Sequence, residues 1–345
     1  MPPWFLTWVF VLASISLHAQ GVDEERPVPI LTGSAGYFTN VNAGETQLVP
    51  IVSPLLLVPL GDRWLIESRA EFKGEFARSD SGSWGGQVDK EVDYLQLDYM
   101  ANPYVTVTVG RFLTPFGIYN ERLYPIWIRS LQATPLIFPI GTGSSDGAML
   151  RGGFAASQRV NLNYAAYFST LSTVNKLDSD RSAGGRFGLF LPGPRVEVGV
   201  SFQQLLQEDR ARTAGCHFAW QPAAVPLNLR SEYAWSHSNG SGYWIEAAYR
   251  LSQLRRWQPV MRHTEVVGRA QQFLAGQITP DAVEEYGLPA VNAQQADFGV
   301  NYYLRDGLKG TMSYGRQFRW DGDFNLWTVG IAYRFALPLG RVGPQ

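Results

Sequence analysis

The sequence predicts an all-β fold: a transmembrane antiparallel β-barrel of about 16 strands, with a long third outer loop folded into the lumen. Three observations predict it. The first is a strand with two unlike faces near the C-terminus. Over Asn325 to Phe335, Trp327, Val329, Ile331, Tyr333 and Phe335 share one face, and Thr328, Gly330, Ala332 and Arg334 share the other, because successive strand side chains point to opposite sides. The second is that such segments recur along nearly the whole chain. The third is an apolar run at the start, Trp4 to Leu17, followed by Leu17-His18-Ala19 and Gln20. It is shorter than the ~18 residues a spanning helix needs and has the form of a cleaved export signal, although its MPPW beginning carries no Lys or Arg.

Composition agrees. The chain has 345 residues, 17% of them charged and 13% aromatic, with 35 glycines and a mean hydropathy of -0.12. A barrel gives lipid only every second residue, so its mean hydropathy looks soluble. The net charge of -1 gives no reason to expect nucleic acid as a partner. The expected organisation is a signal peptide over 1–19, a periplasmic lead-in over 20–30, a barrel over 31–335, and a tail or strand extension over 336–345. No second domain is expected.

The expected strands, in order, are 31–41, 46–59, 63–76, 90–101, 104–112, 147–155, 159–170, 183–192, 195–207, 211–221, 226–236, 242–252, 259–268, 293–304, 308–318 and 324–335. The second contains Pro50, Pro54 and Pro59, which rule out a helix and weaken a strand. The third is the clearest. Trp64, Ile66, Ala70, Phe72 and Phe76 alternate with Glu67, Arg69, Glu71, Lys73 and Glu75; a face of consecutive charges cannot be a protein core and must line water. In the seventh, Val160, Leu162, Tyr164, Ala166 and Phe168 alternate with Asn161, Asn163, Ala165 and Tyr167. In the ninth, Val196, Val198, Val200 and Phe202 alternate with Glu197, Gly199, Ser201 and Gln203. These are period-2 patterns. In the tenth, the single cysteine, Cys216, shares a lipid face with Phe218 and Trp220 and is expected to be a buried small apolar residue. One thiol makes no internal disulfide, so barrel closure must supply stability.

The connections sort independently. If residue 31 starts at the periplasm, the inward connections are Gly61-Asp62, Asn102-Pro103, Ala156 to Gln158, Gly193-Pro194, Pro222 to Val225, Gln253 to Gln258 and Arg305 to Gly307, all short. The outward ones include 77–89, 113–146, 171–182 and 269–292. Short turns on one rim and long loops on the other are the asymmetry of bacterial barrels. One short helix is expected in the last of these loops, Thr279 to Tyr286, with Thr279 as its cap and Pro280 in its first turn.

The third outward connection is by far the longest. It begins Gly110-Arg111-Phe112-Leu113-Thr114-Pro115-Phe116-Gly117, passes Asn120-Glu121-Arg122 and Trp127-Ile128-Arg129, and ends at Ser145-Asp146-Gly147. A loop of that length is usually functional, and one so rich in Trp, Ile, Leu, Phe and Pro is expected to fold into the lumen rather than into solvent. In this stretch, and in the strand-final TVGIAYRF of Thr328 to Phe335, the chain resembles the trimeric sixteen-stranded porins, especially the porin O/P-like (phosphate-selective porin) group. The resemblance implies an inward third loop that forms the constriction, selectivity set by charges on that loop and the facing wall, a homotrimer, outer-membrane lipid around it, and recognition of Thr328 to Phe335 by the outer-membrane assembly machinery. Two departures stand. The chain has few lysines (Lys73, Lys90, Lys176 and Lys309) and a fifth loop of only about Glu208-Asp209-Arg210, so phosphate specificity is not supported. It also continues past Phe335, where such barrels end.

With the polar face inward, Arg69, Lys73, Arg151, Arg186, Arg230, Arg250, Arg262, Lys309 and Arg334 come to the pore, with Glu67, Glu71, Glu75, Asp98, Glu197, Glu232, Glu246 and Asp297. The loop adds Arg111, Arg122 and Arg129 against Glu121 and Asp146, a slight basic excess that favours anions. The candidate pore and constriction residues are thus Arg69, Glu71, Lys73, Arg111, Glu121, Arg122, Arg129, Asp146, Arg151, Arg230 and Arg250. The bland alternative is that these charges pair with one another and only fasten the loop to the wall.

An enzyme is not expected. Ser236-His237-Ser238-Asn239-Gly240 resembles the His-x-Ser-Asn stretch of lipid-cleaving barrels, but His237 and Ser238 are adjacent and point apart, and the stretch reads as a tight turn. His217 and His263 are isolated, so no metal set is expected, and no glycine-rich phosphate cradle calls for a cofactor. The function expected is passive diffusion of small hydrophilic solutes through a water-filled barrel. The competing reading is a structural or adhesive barrel plugged by the same loop.

Overall fold

The structure, a computed structural model, describes residues 28–42, 44–78, 82–173, 177–207, 210–251, 260, 263–276 and 288–339. The export signal, most of the lead-in, the Thr279 to Tyr286 helix, the Gln253 to Gln258 connection, Lys176, Arg262 and the chain past Leu339 lie outside the described residues.

Sixteen antiparallel strands close into one barrel. They are β1 (Ile30–Asn42), β2 (Glu45–Leu60), β3 (Trp64–Arg78), β4 (Trp84–Asn102), β5 (Val105–Leu113), β6 (Ser144–Ser157), β7 (Val160–Ser169) and β8 (Ser182–Leu191). The second half comprises β9 (Val196–Leu205), β10 (Arg212–Trp220), β11 (Leu227–Ser236), β12 (Gly240–Arg250), β13 (Thr264–Leu274), β14 (Ala293–Arg305), β15 (Leu308–Arg319) and β16 (Phe324–Pro338). Each strand pairs with its chain neighbours, and β1 zips against β16 from Ile30↔Pro338 to Asn42↔Leu326. Closure leaves no unpaired edge.

The two faces separate as the alternation requires. Trp327, Val329, Ile331 and Tyr333 stand exposed outside, while Thr328 and Ala332 are buried inside. Phe72, Phe168, Phe187, Val200, Phe202, Ile245 and Phe298 continue the outward apolar surface around the barrel. A continuous exposed apolar belt of this kind is stable only against lipid. Aromatic pairs sit on its rims, Trp64 with Tyr99 (ring centroids 4.4 Å apart) and Tyr314 with Trp327 (4.5 Å). Short turns at 61–63, 103–104, 158–159, 192–195, 221–226 and 306–307 occupy one rim, and the longer loops the other.

The structure corrects several boundaries. The first long outer loop, expected over 77–89, is mostly strand: β3 and β4 pair out to Arg78↔Trp84, so the hairpin stands tall above the rim. Its Gly- and Asp-rich sequence reads as loop, but alternate residues still find ladder partners. Between Arg69 and Ala70 that ladder slips by one residue, a β-bulge that brings Asp93 to the inner face. β2 is a full strand despite its prolines. Its ladder to β1 runs unbroken from Glu45 to Leu57, and its ladder to β3 skips Val49–Pro50 and Ser53–Pro54. Pro50 and Pro54 are an even number of residues apart, so both missing N–H groups fall on the β3 side. β13 lies several residues later than the 259–268 expected, which moves Arg269 and Gln271 from an outer loop onto the wall. β16 runs on to Pro338, so 336–338 are strand extension. Cys216 faces outward as expected, but it is exposed, with no protein covering it.

Candidate functional site: the lumen and the segment that crosses it

The segment between β5 and β6 starts with Thr114 and Pro115, makes one π-helical turn at Tyr119–Leu123, and returns at Gly143. Its own side chains dictate where it goes. Phe116, Ile118, Tyr119, Ile137 and Ile140 are buried in one cluster with Ala234, Trp244 and Phe273 on the inner faces of β11, β12 and β13. Ile126 is buried with Phe38, Val49, Ile51 and Ala332 of β1, β2 and β16. Both clusters replace the charged lining that inner faces carry elsewhere. The apolar stretches of the loop therefore match apolar patches on the wall.

Hydrogen bonds fix the loop's register between those patches. Gly117 N–H donates to Ser201 Oγ at 3.0 Å, and Arg186 donates to Gly117 O at 2.9 Å and to Glu121. The backbone N–H groups of Ile118 and Tyr119 donate to the buried Glu232 carboxylate at 3.2 and 3.3 Å. Further along, Arg269 reaches Ala133 O (2.8 Å), Asn301 reaches Ser130 O (2.8 Å), and Lys309 reaches the carbonyls of Trp127 (3.0 Å) and Arg129 (2.7 Å). Buried backbone groups of an irregular segment need such partners. On the opposite wall the ties are few. Tyr124 Oη donates to Glu71 at 3.4 Å and its ring packs under Arg69. Burial, then the neighbouring Glu71 charge, pushes the Tyr124 phenol above its ordinary range, so it stays a neutral donor.

The candidate charges divide into two groups. Arg69 is buried and donates to Asp93 at 2.7 Å. Glu71 is buried and accepts from Ser53 at 3.1 Å. Arg230 is buried between Glu246 (2.5 Å) and Ser130 of the loop (2.6 Å). Arg129 stacks on Tyr124, 4.3 Å from the ring centroid, and bonds carbonyls of its own loop. Glu121 is held by Arg186, and Arg111 is shared among Val92 O, Asp146 and Asp178 O at 3.0, 3.2 and 3.2 Å. These six cations and carboxylates brace the loop and wall.

The second group keeps its charge in the lumen. Arg122 holds Glu197 with two bonds of 2.8 Å, Arg151 holds Asp98 at 2.9 Å, Lys73 holds Glu75 at 2.5 Å, and Arg250 lies 3.7 Å from Glu265. In each pair the cation is the more exposed partner: 39% against 15%, 36% against 7%, 41% against 32%, and 63% against 11% of the side chain. Asp146 is also part-exposed, at the Arg111 end.

Sequence reasoning missed Asp93 and the buried Arg269–Asp297 pair (3.2 Å), with Gln271 and Gln295 bonded to the same carboxylate. A bulge hid the first and a misplaced strand boundary the second. Ser236 takes a hydrogen bond from Thr213 (3.3 Å), while His237 stands exposed on the β11–β12 turn. Among the described residues no three His, Cys, Asp or Glu side chains group to hold a metal.

No protein-family model matches the chain, and no curated protein sequence does. Solved structures do match its fold. An OmpF of Salmonella typhi in complex with daunomycin aligns at a TM-score of 0.61 and 12% identity, over 92% of this chain and 100% of that one. OprB of Pseudomonas putida at low pH aligns at 0.59 and 9%, over 97% of both chains. An anion-selective porin from Comamonas acidovorans aligns at 0.55 and 12%, over 90% and 99%. At these identities the likeness establishes the fold: this is a barrel of the porin architecture.

Proposed function

We propose that this protein is an outer-membrane porin through which small hydrophilic solutes diffuse down their gradients, with anions preferred. A water-filled lumen removes the desolvation cost that the bilayer imposes on such solutes. The loop from Thr114 to Gly143 folds inward and is the constriction. It is fastened to β8, β9, β11 and β13–β16 and leaves its gap toward the more sparsely tied β3–β7 wall, which carries Lys73 and Arg151, while Arg122 is the exposed cation of the loop. The observation that carries the anion preference is that, among the described residues, the exposed lumen pairs of Lys73, Arg122, Arg151 and Arg250 each present the cation more than the carboxylate, by a wide margin in all but Lys73–Glu75. Rings of like charge at the narrowest point set ion selectivity.

The remaining expectations join this reading. Residues 1–19 serve as a cleaved export signal, 20–30 as a periplasmic lead-in, and Thr328 to Phe335 as the segment the outer-membrane assembly machinery reads. The GRFLTPFG stretch supports kinship with the porin O/P-like group, without phosphate specificity. The functional unit is a homotrimer, for which native mass measurement in detergent is the check.

The deciding experiment is single-channel recording of the purified mature protein in a planar bilayer under a KCl gradient. Stepwise ohmic conductance with an anionic reversal potential is expected. Silence from heat-modifiable, folded protein would favour the plugged barrel, a reading supported by the many wall contacts of the loop.

A further inference from the structure

A recess of about 560 Å³ opens at the short-turn rim, below the loop. Its walls are of two kinds. Trp127 and Ile128, at the turning point of the loop, meet Tyr303 of β14, with the Trp127 and Tyr303 rings edge to face at 6.2 Å. Around them stand the guanidinium groups of Arg250, Arg305 and Arg334, from the ends of β12, β14 and β16. The carboxylate among its lining residues is Asp306, in the β14–β15 turn.

Two features are unexplained by fastening the loop. Ile128 is 50% exposed although it stands inside the barrel. Apolar surface left open at a concave site is the usual mark of a ligand contact. And Arg305 and Arg334 have no carboxylate partner among the described residues. Arg334 instead lies over the Trp127 ring at 5.8 Å, as Arg250 lies over Tyr303 at 5.4 Å. Arg250 also lies 3.7 Å from Glu265, whereas Arg334, held by an aromatic face without a carboxylate, leaves its edge N–H donors for a ligand, and that fork matches a carboxylate.

We propose that this recess is a binding site for organic carboxylates with a flat, apolar body, of which aromatic carboxylates are the best match. The carboxylate takes the arginine edges, and the body lies against Trp127, Ile128 and Tyr303. An inorganic anion would use the arginines and leave the apolar wall wet. The site lies away from the loop's gap and rests on the diffusion-channel reading only for how the ligand arrives.

Ligand-observed NMR titration of benzoate against the folded protein in detergent tests it, with acetate and phosphate as comparison ligands. Benzoate is expected to bind, with both comparison ligands weaker. Arg334→Gln and Arg250→Gln should each weaken benzoate about tenfold, the loss of one charge-assisted contact. Arg319→Gln, on the opposite rim, should leave it unchanged. Absence of benzoate binding, benzoate affinity unchanged in both recess variants, or phosphate binding as tightly as benzoate would overturn the proposal. Bilayer conductance of the same preparation is read separately: conductance without benzoate binding overturns the recess alone, and benzoate binding without conductance overturns the channel alone.

Discussion

Arg69 shows how a lumen charge becomes structural. It lies between the rings of Tyr94 and Tyr124, 5.2 and 5.4 Å from their centroids, and its carboxylate partner is supplied by a bulge. Removing Asp93 would strand a buried cation, and breaking a buried pair from one side costs about 3–5 kcal/mol. Asp93→Ala is therefore expected to lower the stability of the folded barrel by at least about 3 kcal/mol, whereas Glu75→Ala, whose partner Lys73 is exposed, should cost under about 1 kcal/mol. Reversible urea unfolding into lipid vesicles measures both, and equal effects would mean Arg69 is solvated after all. That Arg69 faces the lumen was legible from alternation. That it pairs with Asp93 was not, because a bulge shifts the alternation by one and leaves no mark in residue type. Arg129 teaches the converse: as a charge on a lumen loop it reads as pore lining, but its own loop's carbonyls and Tyr124 hold it.

The strands were legible as elements because a barrel wall has two solvents, and period 2 records both. β2 was the hard case. Its prolines argue against a strand in general, yet two of them spaced by four place both lost donors on one side, where the ladder to β3 skips. The loop's path was legible only in outline, since which wall it docks on depends on apolar inner faces such as Val49 and Ile51 that lie within β2. Its entry is set by Gly117, at φ 60°, a left-handed conformation that glycine adopts without cost. A Cβ there would lie 1.8 Å from Glu232 Oε1, the carboxylate that holds the Ile118 and Tyr119 amides. Gly117→Ala combines backbone strain of about 1–2 kcal/mol with loss of that anchor. It should loosen the loop, raise single-channel conductance and noise, and expose Arg122 to trypsin in the folded barrel. Unchanged conductance together with full protection would show that the later anchors alone hold the loop.

For the whole molecule, the arrangement of charge matters more than its sum. The chain is nearly neutral, and many of its lumen cations, Arg69, Arg122, Arg151, Arg186, Arg230 and Arg269 among them, are paired with carboxylates. A pair affects a passing ion through whichever partner meets the water, because the buried partner's field is spent on its neighbours while solvent screens what remains. Arg122 and Arg151 meet water more than twice as widely as Glu197 and Asp98. Reversing the exposed member should therefore reverse the selectivity of the gap, although the net charge changes by the same amount as it would at a buried site. Arg122→Glu is expected to bring the reversal potential toward zero and, combined with Arg151→Glu, past it into cation preference. Arg319→Glu, an equal change in net charge at the outer rim, should shift it far less. Both effects should shrink as KCl rises from 0.1 to 1 M, where the screening length falls from about 10 to about 3 Å. Equal shifts from Arg122→Glu and Arg319→Glu would mean that selectivity follows overall charge and that the loop does not set it.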